Sequence, residues 1–522
     1  ADGGHSFPYL PAPKAPLADA PARSFGVPLA YGAGLALIGL ALACVVGLRA
    51  AYARPAADQR AEARPESSSP ESPPAERPVL KQRHPADEEP GGEPVSLPDP
   101  PKPESSLPPE LQDKVNAAIE KGVADLKRQQ KADGSWGDFG HPVAHAALAG
   151  LTLLECGVPA DDPGIKKAAK LVRDGMDDAA AGQFTYTASL MLLFLDRLGD
   201  SKDAPFIRIL ALRLVAGQNP DGGWAYNIPK LTGSEEERLF VALASNRPKG
   251  LDKIVMRPGA GGGPGKIIGG SGGDLEKITG GKEPTPEEAA KAIEALPENL
   301  RQLPAFMDEL PAGGTRRVRR GKRWIEVPVR FGQISDNSNT QFGALAMWAA
   351  LRHGIPMEKA LQRLGERFRK SQKHDGNWDY RPGMHTTESM TGVGLLGLAI
   401  STGLASDRKP ARDAAIEKGL AALGKHIHVN GRDSRPFNLY FWWTVERVAM
   451  LYGVKEIGGK DWYRGAVELL LGQQRPEGWW GMGGYHGANR TLDTCFALLI
   501  LKRVNLAPEL TKTLEFGLVL PK

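Results

Sequence analysis

Cysteine is nearly absent from this chain of 522 residues: Cys44, Cys156 and Cys495 are odd in number and far apart. That excludes a disulfide framework and leaves the redox compartment open. An excess of charge of one sign is missing too. A formal net charge of +5 over this length does not by itself imply a nucleic-acid partner. Large apolar side chains are almost missing from residues 54–110, which are rich in Pro, Glu, Ser and Ala. Such a segment cannot bury enough surface to offset its ordering entropy, so a disordered, extended linker is expected there. The glycine run between Pro258 and Gly265 lacks the Lys-Ser/Thr ending of a phosphate loop and reads as flexible linker.

One long apolar run is present. Val27 to Leu48 carries no charge and is long enough to span a bilayer's hydrocarbon core. Ala51-Tyr52-Ala53 leaves a cleaved signal peptide as the rival reading. The expected organisation is a tail at 1–26, a single transmembrane helix at 27–53, the linker at 54–110, and a large domain at 111–522. Arg49, Arg54, Arg60 and Arg64 follow the run against Lys14 and Arg23 before it, which places the large domain in the cytoplasm by the positive-inside rule.

The large domain repeats itself. Gln130–Trp136 (QKADGSW) returns as Gln218–Trp224 (QNPDGGW), Gln372–Trp378 (QKHDGNW) and Gln474–Trp480 (QRPEGWW). Each copy reads as the stop after a helix, with an Asp-Gly or Glu-Gly turn whose glycine accepts positive φ. Amphipathic helices are expected near 111–130, 163–175, 204–217, 356–371, 409–426 and 461–474. Helices apolar on nearly every face alternate with them, near 142–156, 185–198, 338–353, 386–402, 438–452 and 491–503. An all-round apolar helix must be buried, whereas an amphipathic one faces water on one side. Strict alternation of six outer and six inner helices closes into an all-α, (α/α)6 toroid. Between Trp224 and Asp336 the alternation stops. A Gly-rich insertion at about 230–333 is expected on one rim, with a short helix near 285–297 and six cations between Arg316 and Arg323. Those cations read either as a solvated loop or as a contact for an anionic lipid, nucleic acid or acidic partner.

The four turns resemble the QW motif of squalene and oxidosqualene cyclases and the related repeats of protein prenyltransferase β subunits, over roughly residues 111–520. The resemblance implies the toroid, but one fold hosts unrelated functions. Chemistry is expected where the inner helices begin, since helix N-termini favour carboxylates and anions. The candidates there are Tyr186, Asp336, Thr340, His385 with Glu388, and Tyr440 with Trp443. The aromatic cluster Phe437, Tyr440, Phe441, Trp442 and Trp443 could line an apolar cavity, though several of its members must be core.

Squalene-hopene-type cyclases protonate an alkene with an aspartic acid of a D-x-D-D-T-A motif. The closest match is Asp336 to Gln341 (DNSNTQ), in which Ser338 stands at the donor position and Asn339 beside it. Neither is an acid. Asp174, Asp177 and Asp178 have the wrong spacing, so a protonating cyclase is not expected. Asn489 to Phe496 (NRTLDTCF) resembles the N-K/R-x-x-D-x-C-Y/F segment of prenyltransferase β subunits, where the Asp and Cys bind zinc. This chain has no histidine after Cys495; His145, on an inner helix that ring closure would make a neighbour, is the candidate third ligand beside Asp493 and Cys495. Cap and core roles for Asp493 and Cys495 are the alternative.

Two functions remain. One is a membrane-anchored, non-catalytic toroid that binds an isoprenoid lipid or a protein segment. The other is a diverged terpenoid-cyclase-like or zinc-dependent prenyltransferase-like enzyme.

Overall fold

Twelve helices alternate along the chain in this computed structural model. The structure describes residues 107–515 apart from 138–140, 177–182, 248–284, 308, 311–314, 321–322, 329–334, 382–383, 385, 405–412 and 429–437. The outer helices are α1 (Pro109–Gln129), α3 (Pro163–Asp174), α5 (Ala204–Ala216), α7 (Glu358–Ser371), α9 (Ala414–His426) and α11 (Trp462–Gln473). The inner helices are α2 (Pro142–Glu155), α4 (Thr185–Leu198), α6 (Asn337–Leu351), α8 (Glu388–Gly403), α10 (Leu439–Tyr452) and α12 (Arg490–Lys502). Every residue of α6 is buried, while α7 buries one side only. Short polar side chains start many of them. Asp162, Asp336, Asp413, Asn438, Asp461 and Asn489 each accept an N–H of the first turn that follows.

The inner helices touch in the cyclic order α2, α4, α6, α8, α10, α12, and α12 packs back on α2. The outer layer closes as well, since α1 packs on both α11 and α12. The all-α toroid is therefore a closed ring, and its helices lie in one compact unit, Val95–Lys522. A last helix, α13 (Pro508–Glu515), packs on α8 and α10.

The four repeated turns are the fasteners. In each, the indole N–H donates to the carbonyl ten residues earlier: Trp136 to Leu126, Trp224 to Leu214, Trp378 to Phe368 and Trp480 to Leu470, at 2.7–2.9 Å. Each glutamine amide donates twice, once within its own turn and once to another outer helix. The second acceptors are Gly164 of α3, Ala360 of α7, Ala415 of α9 and Ala118 of α1. The bond from Gln474 to Ala118, at 2.8 Å, is the one that ties the end of the ring to its beginning.

Two joints between outer helices have no such turn and are fastened otherwise. From α3 to α5, the Arg173 guanidinium pairs with Asp203 and Asp200 at 2.7–2.9 Å. From α9 to α11, Lys460 Nζ donates to the Gly424 and Ile427 carbonyls from a two-stranded turn, β3 (Glu456–Ile457) and β4 (Lys460–Asp461).

Where α12 meets α1, buried Asp125 accepts from Arg490 (2.6 Å), Arg128 (2.9 Å) and Gln129 (2.6 Å). Asp125→Ala is expected to cost about 2–3 kcal/mol, because hydrogen bonds to charged groups exceed neutral ones. Equilibrium urea unfolding measures it.

The insertion holds more structure than its sequence suggests. A helix at Gly233–Ser245 packs on α5 and on the helix Pro286–Glu294, and a turn at Pro304–Phe306 packs on α7. Its signal was the capping box of Thr232 and Glu235. The basic run is not a loop but an antiparallel hairpin, β1 (Thr315–Arg320) paired with β2 (Arg323–Pro328).

The single-pass membrane expectation is corrected. Among the described residues no helix is long and apolar enough to cross a membrane. The run at 27–53 and residues 54–106 of the expected linker lie outside the described residues, as do His385, Phe437, Asp177 and Asp178, while Pro109 and Glu110 at the linker's expected end already belong to α1. The cytoplasmic placement of the large domain rested on that span and falls with it.

Candidate functional site

Ser338, Gln341 and Phe342 are spaced i, i+3, i+4 at the start of α6 and share one face. On α10, Tyr440, Trp443, Thr444 and Arg447 follow the same spacing. Ring closure brings these faces together with Tyr186 at the start of α4 and Phe496 on α12. The Tyr186 hydroxyl donates to Ser338 Oγ at 2.5 Å, and Ser338 Oγ lies 2.5 Å from the Tyr440 hydroxyl. The Gln341 amide donates to the same Tyr440 oxygen. Its carbonyl end accepts from Arg447 Nη2 at 2.6 Å. A continuous hydrogen-bonded chain therefore runs Arg447, Gln341, Tyr440, Ser338, Tyr186.

Aromatic rings enclose this chain. Phe342 packs on Tyr186 at 4.8 Å between centroids and on Trp443 at 5.6 Å. Trp443 stacks on Phe496 at 4.6 Å, with the Arg447 guanidinium 3.7 Å from its ring centroid. Tyr485 stacks on Tyr440 at 5.8 Å. Offset contacts between rings at these separations add to the burial of apolar area. Tyr186, Tyr440 and Tyr485 are only half-buried, so each keeps accessible surface. A second hydroxyl pair lies beside them: Tyr226 and Tyr380 are 3.0 Å apart, and Tyr226 is 6.4 Å from Tyr186.

The electrostatics are those of weak acids. Burial holds the Tyr186 phenol well above its ordinary value and pushes Tyr440 up to about 12, against the lowering hydrogen bond from Ser338. Burial also draws Arg447 down to about 10. The carboxyl at the head of α6 is Asp336, whose pKa burial raises although Asn339 N–H and Nδ2 donate to it at 2.8 and 2.9 Å. A raised carboxyl is a weaker acid than a free one.

Of the residues singled out in sequence, Tyr186, Tyr440 and Trp443 are in the aromatic centre. Asp336 caps α6. Thr340 braces the helix start to the second turn, accepting from Trp224 N–H and donating to the Asp336 carbonyl. Glu388 opens α8, half-buried. Sequence reasoning named Ser338, Gln341 and Phe496 only as members of family-like segments and not as contact residues, and missed Phe342, Arg447, Tyr485, Tyr226 and Tyr380 altogether. The last two had a signal: Trp224-Ala225-Tyr226 and Trp378-Asp379-Tyr380 place a tyrosine two residues past the repeated tryptophan.

The structure does not gather Asp493, Cys495 and His145, the expected zinc set, into one metal-binding group. Asp493 is occupied by the loop before it, accepting from Met482 and Gly483 N–H and from the Tyr485 hydroxyl at 2.7–3.1 Å. The Cys495 thiol is fully buried, pushed up to about 12 by that burial, with Thr152 of α2 as its hydrogen-bond partner. His145 lies against Gly137. Among the described residues no three His, Cys, Asp or Glu side chains come together in a metal-binding group.

No family model and no curated protein matches the chain. Among solved structures, a variant of the type II terpene cyclase MstE from Scytonema, in complex with its product merosterolic acid A, is 15% identical with a TM-score of 0.41, over 77% of this chain and 100% of that one. A second variant, in complex with its substrate geranylgeranyl dihydroxybenzoate, is 15% identical with a TM-score of 0.40, over 78% and 100%. A protein from Actinoplanes is 14% identical with a TM-score of 0.26, over 77% and 99%. Likeness of that degree decides nothing about the activity of this chain, and the toroid rests on its own helix contacts.

Proposed function

We propose that this toroid binds an apolar, unsaturated isoprenoid-type chain in its aromatic centre and does not protonate it. The observation that carries the reading is Ser338. It stands at the head of an inner helix, where the resembling cyclases carry their acid, and it is held between two phenols. Ligand pockets are mostly apolar and aromatic, with a few placed polar groups that fix orientation. The rings of Tyr186, Phe342, Tyr440, Trp443, Tyr485 and Phe496 supply the first, and the hydroxyl chain the second. Protonating an isolated alkene needs a strong acid; phenols with raised pKa and a capping Asp336 do not supply one.

Titration of the protein's tryptophan fluorescence with farnesol in dilute detergent is expected to quench saturably, with the alcohol extracted afterwards unchanged. Trp443→Ala is expected to weaken this binding at least ~10-fold, since truncating a central aromatic anchor costs about 2 kcal/mol or more. Absence of saturable quenching, or a cyclised product in the extract, would sink the reading.

A further inference from the structure

The hydrogen-bonded chain has a direction. A guanidinium can only donate, so Arg447 fixes the Gln341 oxygen toward itself and the Gln341 N–H toward the Tyr440 oxygen. Beyond that point lie three hydroxyl protons, on Tyr440, Ser338 and Tyr186, and two oxygen–oxygen contacts to use them. One proton is left over however the hydroxyls rotate. With Tyr186 donating to Ser338, that proton is carried by Tyr440 or by Ser338, and it needs an acceptor.

The other end of the chain is also incomplete. Arg447 is buried, at 4% exposure, and its hydrogen-bond acceptors are the neutral Trp443 carbonyl, Gln341 Oε1 and Thr444 Oγ1. Its Nη1 has no partner among the described residues. The carboxyl next to it in sequence, Glu446, makes no hydrogen bond to it, and burial raises that carboxyl's pKa. The centre therefore holds a cation that, among the described residues, is hydrogen-bonded to no carboxylate. Leaving a buried charge uncompensated is costly.

We propose that the Tyr186–Ser338–Tyr440 hydroxyls, backed by Arg447, form a head-group subsite for an ionised carboxylate carried at one end of the apolar chain. This rests on the proposed function. A carboxylate accepts several hydrogen bonds and offers no donor that would compete for the chain's direction. Donors along a polarised chain strengthen one another, so the leftover hydroxyl proton faces the anion as a better donor than an isolated phenol. The guanidinium's charge reaches the same anion through a low-dielectric interior rather than through water. A hydrocarbon with no oxygen would leave both the extra proton and the cation unanswered.

Farnesoic acid and methyl farnesoate share one chain and differ in head-group charge. On the full chain at neutral pH, competition of each against farnesol quenching is expected to show the acid binding at least ~10-fold more tightly than the ester, a difference of about 1.4 kcal/mol. In Tyr186→Phe, which keeps a spare hydroxyl proton but removes the bond from Tyr186 that polarises Ser338 and Tyr440, the acid-over-ester ratio is expected to fall several-fold. In Arg447→Met it is expected to fall to about one. If Arg447→Met does not fold, Tyr186→Phe decides alone, and a full ratio retained there overturns the subsite. Equal binding of acid and ester by the unaltered protein overturns the subsite and leaves the apolar-chain reading standing. Binding of neither probe overturns both.

Discussion

Gly478→Ala is expected to destabilise the ring by about 2–5 kcal/mol, whereas Gly487→Ala is expected to cost about 1–2 kcal/mol. Both glycines have positive φ, +105° and +83°. An L-residue there costs roughly 1–2 kcal/mol from backbone strain alone. They differ in surroundings. A Cβ at Gly478 would lie 2.3 Å from the Lys121 carbonyl oxygen of α1, while nothing comes within 4 Å of one at Gly487. The backbone oxygen cannot swing aside as a side chain does, so overpacking adds about 1–3 kcal/mol at Gly478. The contrast isolates close approach from strain, and paired thermal and urea unfolding of the two variants measures it. Equal losses would mean that the turn does not press on α1. The other repeated glycines stand in the same relation: Gly134 to Lys167, Gly222 to Arg363 and Gly376 to Lys418, at 2.4–2.6 Å from the carbonyl oxygen.

Glu446→Leu is expected to gain stability relative to the parent as pH rises from about 4 toward neutrality. Glu446 on α10 is fully buried, and that burial raises its pKa well above the carboxylate range, against the lowering charge of Arg447. In the unfolded chain the carboxyl ionises near pH ~4.3. Above that pH the unfolded state has released a proton that the folded state still holds, so folding stability falls with rising pH. The slope is about 1.4 kcal/mol per pH unit until the folded carboxyl ionises as well. Below pH ~4 both states are protonated and this contribution is constant. Subtracting the stability-versus-pH curve of the Glu446→Leu variant from that of the parent should therefore expose a component that is flat below pH ~4 and descends above it. A difference curve flat across pH 4–7 would show that Glu446 is ionised in the folded protein.

The ring was legible in the sequence because its signals are local. A turn of seven residues contains everything it needs to end one helix, and an all-apolar helix such as α6 declares its own burial. The joints from α3 to α5 and from α9 to α11 were not legible. Arg173 with Asp203, and Lys460 with two carbonyls, are ordinary charged residues until the fold sets them together. The site was half legible for the same reason. Tyr186, Tyr440 and Trp443 announce themselves by sitting at inner-helix starts. Their partners lie 99 to 152 residues away along the chain, at Ser338 and Gln341. The roles of Asp493 and Cys495 were not legible either, because both are set by elements distant in space or packed from elsewhere: Asp493 holds the loop before α12, and Cys495 is buried with Thr152 of α2 as its partner.

The bond from Gln474 to Ala118 joins residues 356 apart in sequence, and the helix holding the acceptor emerges from a ribosome first. At roughly 5–20 residues per second, α1 waits about 20–70 s before its partner in α11 exists. Through that interval the faces of α1 and α2 that α12 will cover are exposed to whatever else is near. An arc of helix pairs with one open edge is thus the obligatory intermediate of this architecture during synthesis. The edge at risk is the one bearing the Ala118 carbonyl, Gly122, which lies against Leu498 and Trp480, and Asp125, which waits for Arg490.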